Sequence, residues 1–261
     1  MASRPLSRLL SASVLMVALG SAPALAQAPP LADACKACHG REGISSSPGT
    51  PNLAGQKADY LAGQLAAFKS KDRKNDLMAA IAGQLSDADM KGLAQYWSQL
   101  PGASADAHGQ AAAGPAIPSR TTFPANFPAG FTAYQSLDGD GFVTKRYANA
   151  VAWRAARAGQ PLPDGSVILQ VTYDAKKDAS GTMVTGPVKS YAAMESRAGW
   201  GADIPVLLRN ENWDYATFGA DRARRDGLNQ APCLACHKPA VATSYVFTLK
   251  LLQEAAAKPA R

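Results

Sequence analysis

Two short runs, Cys35-Lys36-Ala37-Cys38-His39 and Cys233-Leu234-Ala235-Cys236-His237, use all four cysteines and two of the three histidines in 261 residues. Each places two thiols on one helical turn, with an imidazole directly after the second. Thiols so spaced can add to the two vinyl groups of a haem while the histidine faces the iron as proximal ligand, so the pattern reads as c-type haem attachment. A redox dithiol and a zinc site are the alternatives. Zinc would need Cys38 and Cys233, close to opposite ends of the chain, to converge. Four cysteines in an exported protein ordinarily suggest disulfides, but this spacing argues for two covalently bound haems c and no disulfide. The one remaining histidine, His108, cannot give both irons bis-histidine ligation.

The N-terminus argues for export. Arg4 and Arg8 precede an apolar run, Leu9 to Leu19, and Ala24-Leu25-Ala26 is a small-x-small cleavage site. Residues 1–26 are therefore expected to be a signal peptide, too short and wrongly flanked for a membrane span. The mature chain is expected to begin at Gln27 in a periplasmic compartment. Removing Arg4 and Arg8 from the 27 basic side chains leaves 25 against 20 acidic ones, a balance of +5. That charge suits steering toward an acidic redox partner, soluble or membrane-bound. It does not suit nucleic acid, since no Lys/Arg cluster is interleaved with aromatics.

The elements that must carry the two motifs differ along the chain. Residues 27–102 read as short helices. Asp59 to Lys71 carries Leu61, Leu65 and Phe68 at helical spacing. Ser86 is a candidate N-cap, with Asp87 and Asp89 in the first turn and Met90, Leu93, Trp97 and Leu100 on one apolar face. Pro101-Gly102 ends that helix. Residues 103–122 are rich in Ala, Gly, Ser and Pro with no apolar period, and read as a flexible linker containing His108. Residues 123–261 change character. Val167, Leu169, Val171 and Tyr173 alternate with Ile168, Gln170 and Thr172, a strand pattern. Val188 to Glu195 and Asn212 to Gly219 are also strand-like, and Met194 shares its strand face with Val188 and Ala192. A short helix is expected over 150–159, a turn over 176–181, and a closing helix from Ser244 with Tyr245, Leu249, Leu252 and Ala256 inward. Leu137-Asp138-Gly139-Asp140-Gly141-Phe142 lacks the closing Glu of a calcium loop and reads as a turn. The fold class is thus α+β and multidomain, with an all-α first domain and a mainly antiparallel β second domain bearing a haem-carrying helical segment.

The stretch from Cys35 to Trp97 resembles the small class I cytochromes c of bacterial electron-transfer chains. Its motifs are the first Cys-x-x-Cys-His, Pro51-Asn52-Leu53, Asn75-Asp76-Leu77-Met78 and the helix after Ser86. The resemblance implies an all-α fold with a methionine from a loop before the last helix as sixth iron ligand, which falls on Met78. Met90, the local competitor, lies on the apolar face of the final helix. The resemblance further implies that the Pro51 carbonyl bonds His39. His/Met ligation raises the reduction potential and closes the site, as suits electron transfer.

The stretch from about Phe131 to Ala257 resembles cytochrome P-460 and cytochrome c-prime-beta. The likeness rests on Ala198-Gly199-Trp200-Gly201, the strings around Trp213, and the second haem motif. It implies an antiparallel β fold, a homodimer through this domain, and a five-coordinate haem c. Cytochrome P-460 proper oxidises hydroxylamine with a lysine tied to the porphyrin, from the strand after an Asp-Gly turn. Here Asp164-Gly165-Ser166-Val167-Ile168-Leu169 leads to Gln170 near that place.

The combined expectation is a periplasmic dihaem cytochrome. Cys35 and Cys38 bind the first haem, with His39 and Met78 on its iron. Cys233 and Cys236 bind the second, with His237 on its iron. The second iron is expected to be open under an apolar, sheet-lined pocket and to meet nitric oxide, hydroxylamine or peroxide. Whether this site is an oxidoreductase for small nitrogen compounds, a gas-binding site without turnover, or a pure relay stays open at this point.

Overall fold

The structure is a computed structural model and describes residues 28–103, 116–225 and 229–259. The expected signal peptide, its cleavage point and His108 lie outside the described residues.

The first part holds four helices: α1 (Ala32–His39), α2 (Ala58–Ser70), α3 (Asp76–Ala82) and α4 (Asp87–Gln99). α4 begins where the sequence signals it. The Ser86 Oγ accepts from Asp89 N–H at 3.1 Å, and Asp89 Oδ2 accepts from Ser86 N–H at 2.9 Å. This reciprocal box satisfies donors that a helix start otherwise leaves bare. Met90, Leu93, Ala94 and Trp97 are buried on one face of α4, and α4 packs on α2 through Leu61. Each large apolar side chain so buried contributes about 1.5–3 kcal/mol before entropy is counted.

The second part is built on five strands: β1 (Phe131–Gly139), β2 (Phe142–Asn149), β3 (Val167–Lys177), β4 (Met183–Ser196) and β5 (Trp213–Gly219). They form one antiparallel sheet in sequential order. Helix α5 (Ala150–Arg157) follows β2. After β5 come α6 (Ala231–His237), a 3₁₀ segment (Lys238–Thr243) and α7 (Leu249–Ala257). The architecture is therefore α+β, with the helical part and the antiparallel sheet in the expected places.

Alternation divides the sheet into two faces. Leu169, Val171, Tyr191, Ala193, Ala216 and Phe218 pack with Phe127 on one face. Ala148, Ile168, Met194 and Tyr215 face the other way, into a cluster with α5, α6 and α7. Val188 departs from expectation: it joins the Phe127 face, opposite Met194. A bulge is the reason, because the β3–β4 register moves from Thr172↔Ser190 to Tyr173↔Val188. One extra residue on β4 reverses which way every side chain beyond it points. The closing helix also differs. Ser244 and Tyr245 adopt left-handed backbone at φ 52° and 60°, so α7 starts only at Leu249.

Candidate haem sites

α1 carries Cys35 and Cys38 three residues apart, hence on one helix face. Ala32, Ala34 and Ala37 are buried on the rest of the helix surface, and their small size lets α1 lie close against its neighbours. His39 is the last helical residue. Gly40 then turns at φ 89°, ψ 153°, where a Cβ would lie 1.9 Å from the Ile44 carbonyl oxygen. Only glycine can occupy that position without displacing the chain. The turn carries Pro51 back to His39, and His39 Nδ1 lies 2.7 Å from the Pro51 carbonyl. A carbonyl can only accept, so Nδ1 carries the proton and Nε2 keeps its lone pair for a metal. This is the bond that the resemblance implied.

Met78 lies not in a loop but in the first turn of α3. Its N–H donates to the Asn75 side chain, the cap of that helix, at 2.9 Å. The side chain is half-buried, whereas Met90 is 5 % exposed and packed in the α4 core. The expectation that a thioether ligand is aimed from a loop is thus replaced by a short capped helix, which fixes its backbone more firmly. α3 packs against α2 and also against α6.

α6 repeats the arrangement of α1. Cys233 and Cys236 again share a face, and Leu234, Ala231 and Ala235 are buried. His237 Nδ1 lies 2.7 Å from the Tyr245 carbonyl. The left-handed pair Ser244–Tyr245 is what reverses the chain to present that oxygen, which explains the delayed start of α7. The His237 ring is flanked by Tyr215 at 4.7 Å and Phe247 at 4.8 Å between centroids. The buried Asn210 amide donates to the Leu234 carbonyl and to the Tyr215 hydroxyl, fastening α6 to β5.

The electrostatics favour attachment over redox chemistry. Burial pushes the Cys35 thiol up to about 11, and burial also raises Cys38 and Cys233. A redox dithiol needs the opposite shift. All four cysteines are free. Among the described residues, no group of three or more His, Cys, Asp and Glu is placed to hold a metal ion. Burial lowers both His39 and His237, with the carbonyl bond opposing in each case, so both rings are held neutral. Among the described residues four buried side-chain polar atoms lack partners: Ser166 Oγ, Asn210 Oδ1, Trp97 Nε1, which faces the Cys35 thiol without reaching hydrogen-bond geometry, and Thr217 Oγ1 on the α6 side of the sheet. Free paired thiols, a bare Nε2 and orphaned donors together fit a covalently attached haem at each motif.

The sheet face beside α6, where an apolar, sheet-lined pocket was expected, carries a polar row beside an apolar one. Ala148, Ile168, Met194 and Tyr215 form one cross-strand row. The next row, two residues along each strand, is Gln135, Arg146, Gln170, Ala192 and Thr217. Arg146 donates to Gln170 Oε1 at 3.1 Å and to Gln135 Oε1 at 2.6 Å. Sequence reasoning singled out Gln170 but missed Arg146 and Gln135, because neither strand that carries them alternates visibly.

One further cluster joins the two parts. Asp214, 2 % exposed, accepts from Ser119 Oγ, from Arg120 N–H, from Thr121 N–H and Oγ1, and from Gln230 Nε2. Gln230 is the N-cap residue of α6. Residues 116–121, expected as the tail of a flexible linker, are thus pinned to β5 and α6. Asn229, beside Gln230, donates to the Ala37 carbonyl of α1. α1 and α6 pack on one another, and Gln84 after α3 reaches the Leu207 carbonyl at 2.9 Å.

A four-helix unit with one Cys-x-x-Cys-His helix, joined to an antiparallel sheet with a second, defines a haem-carrying electron-transfer cytochrome. A family model described as Cytochrome c matches residues 26–101, and one described as Cytochrome P460 matches residues 124–248. The chain belongs to the cytochrome c family through its first part, its second part is a cytochrome P460-like domain, and both imply covalently bound haem. Its first part is similar to the thiosulfate dehydrogenase electron acceptor of Thiomonas intermedia, 42% identical over 98 residues, 37% of this chain and 45% of that protein. It is also similar to cytochrome c-554(548) of Halomonas halodenitrificans, 42% identical over 67 residues, 24% of this chain and 81% of that protein. A solved cytochrome c4 of Acidithiobacillus ferrooxidans is 41% identical, covering 25% of this chain and 38% of that one, with a TM-score of 0.25. The chain spans less than half the length of the thiosulfate dehydrogenase electron acceptors that it matches. Among the described residues, no helix is long and apolar enough to cross a membrane.

Proposed function

We propose that this chain is a periplasmic dihaem cytochrome c that passes electrons between a protein partner and a small molecule at its second haem. Cys35 and Cys38 would attach the first haem, with His39 and Met78 holding its iron. Cys233 and Cys236 would attach the second, with His237 holding its iron. When bound, haem supplies a one-electron ferric/ferrous couple, and an open iron adds a ligand position. The chain's own residues supply the rest. The Pro51 and Tyr245 carbonyls fix the tautomer and orientation of His39 and His237. Asn229, just before α6, ties it to the Ala37 carbonyl of α1, and Asp214 anchors the neighbouring Gln230 to β5, so the two motif helices pack on each other. That packing is the observation that carries the reading, because short separation is what electron transfer between two haems requires, and one chain keeps their effective concentration high.

The relatives named as electron acceptors of thiosulfate dehydrogenase support a first haem that takes electrons from a redox protein, soluble or membrane-bound. The second haem receives a nitrogen oxide, hydroxylamine or peroxide, and a homodimer forms through its domain. The test is a carbon monoxide titration of the reduced protein. One equivalent per chain supports one closed and one open iron; none means that a protein group closes the second site.

A second reading, a gas-binding haem without turnover, is favoured by one observation. Gln170 stands near the place that the cross-linking lysine occupies in cytochrome P-460, and its side chain is engaged by Arg146. Steady-state hydroxylamine oxidation with an added electron acceptor separates the two, since the gas-binding protein would show none.

A further inference from the structure

The row next to the His237 packing surface contains a cation without a counter-charge. Arg146 is half-buried on β2, and both its side-chain bonds go to neutral amide oxygens, Gln135 Oε1 and Gln170 Oε1. Among the described residues no carboxylate lies within ion-pair distance of it. A partly desolvated guanidinium braced from both sides but left unneutralised favours an anion on its remaining N–H groups. Its place in the fold says where that anion sits. Arg146 shares its sheet face with Ile168, Met194 and Tyr215, and Tyr215 flanks His237. Tyr134, next to Gln135, meets Thr248 Oγ1 at 2.8 Å, one residue from Phe247 on the other side of the His237 ring. Along the strands, the Arg146 row is only about 6.5–7 Å from the Ile168 row. Thr217 Oγ1, buried without a partner, lies in the same cross-strand row.

We propose that Arg146, oriented by Gln135 and Gln170, is an anion-recognition residue of the second haem pocket, so that this site selects small monoanions of the size of nitrite or azide. The inference rests on the open second iron described above. Guanidinium recognition is planar and forked, and the two glutamines fix the plane of the fork. An anion bound at the haem then gains a charge-assisted hydrogen bond that a neutral diatomic does not need. Gln170 thereby has a positioning role in the strand where cytochrome P-460 proper uses lysine.

The test uses the haem-loaded full chain and three proteins: unaltered, Arg146→Leu and Arg146→Lys. Azide and nitrite are titrated into the ferric form and carbon monoxide into the ferrous form, each followed by haem absorption. Arg146→Leu should bind both anions about 10- to 100-fold more weakly, with carbon monoxide affinity changed less than about 3-fold. Arg146→Lys, which keeps the charge but not the fork, should fall between, and it guards against misfolding of the leucine variant. Retained carbon monoxide binding with unchanged anion affinity in Arg146→Leu overturns the proposal. So does unchanged anion affinity with a shifted second-haem potential, which would mean that the guanidinium pairs with a haem propionate. If the unaltered protein binds neither carbon monoxide nor anions, the open-iron reading beneath the proposal fails instead.

Discussion

Replacing Asp214 by alanine removes the acceptor at the joint of the molecule. Thr121 N–H and Oγ1 lie 3.0 and 2.8 Å from Oδ1, and Gln230 Nε2 lies 2.8 Å from Oδ2. Thr121 is fully buried and Gln230 nearly so, so their donors lose their acceptor in a site shielded from bulk solvent. A buried donor left unsatisfied costs about 1–3 kcal/mol, and such costs within one network do not add fully. The expected loss is about 3–5 kcal/mol, a large share of the roughly 5–15 kcal/mol that holds a domain folded. Asp214→Asn keeps one acceptor but turns an amide toward the Gln230 donor, and should cost about 1.5–3 kcal/mol. Urea unfolding of the haem-loaded protein, followed by far-UV dichroism and haem absorption, measures both. Because Gln230 directly precedes α6 and is anchored by Asp214, the absorption of the second haem should change at lower urea than that of the first. A loss below about 1 kcal/mol for Asp214→Ala would refute the reasoning, since the buried donors would then have found other partners.

Met78→Ala should convert the first haem to high spin and lower its potential, while Met90→Ala should cost about 2–5 kcal/mol of stability and leave the low-spin signal intact. Redox titration and absorption spectra check this, and loss of that signal in Met90→Ala alone would reverse the assignment. Gly40→Ala forces a Cβ against the Ile44 carbonyl and should destabilise the first domain by about 1–3 kcal/mol; an unchanged urea midpoint would count against it. Burial lowers His39 and His237, and iron ligation needs the same neutral ring. The urea midpoint of the haem-loaded protein should therefore fall as acid protonates the rings released on unfolding, and a rise in acid would contradict the sign.

Local features of the sequence determined local structure. The Cys-x-x-Cys-His runs became α1 and α6, the Ser86 box began α4, and the alternation from Val167 became β3. These signals work at separations of two to four residues, the same range over which helix and strand geometry acts. β1 and β2 gave no such signal. β1 is an edge strand whose burial does not alternate, so its residues record little of the sheet they join. The break at Ser244–Tyr245 was equally hidden, because an apolar helical period continues through it; the reversal is imposed by His237, which needs the Tyr245 carbonyl. The bulge on β4 moved Val188 to the face opposite Met194, a change of parity that pairing alone reveals. The same holds for both polar clusters. Gln135, Arg146 and Gln170 become neighbours through strand register, and Asp214 meets Ser119 and Gln230 only once α6 docks on β5. Contacts between residues far apart in sequence depend on register and docking, which are settled by burying the whole sheet face at once, so only the tertiary structure could decide them.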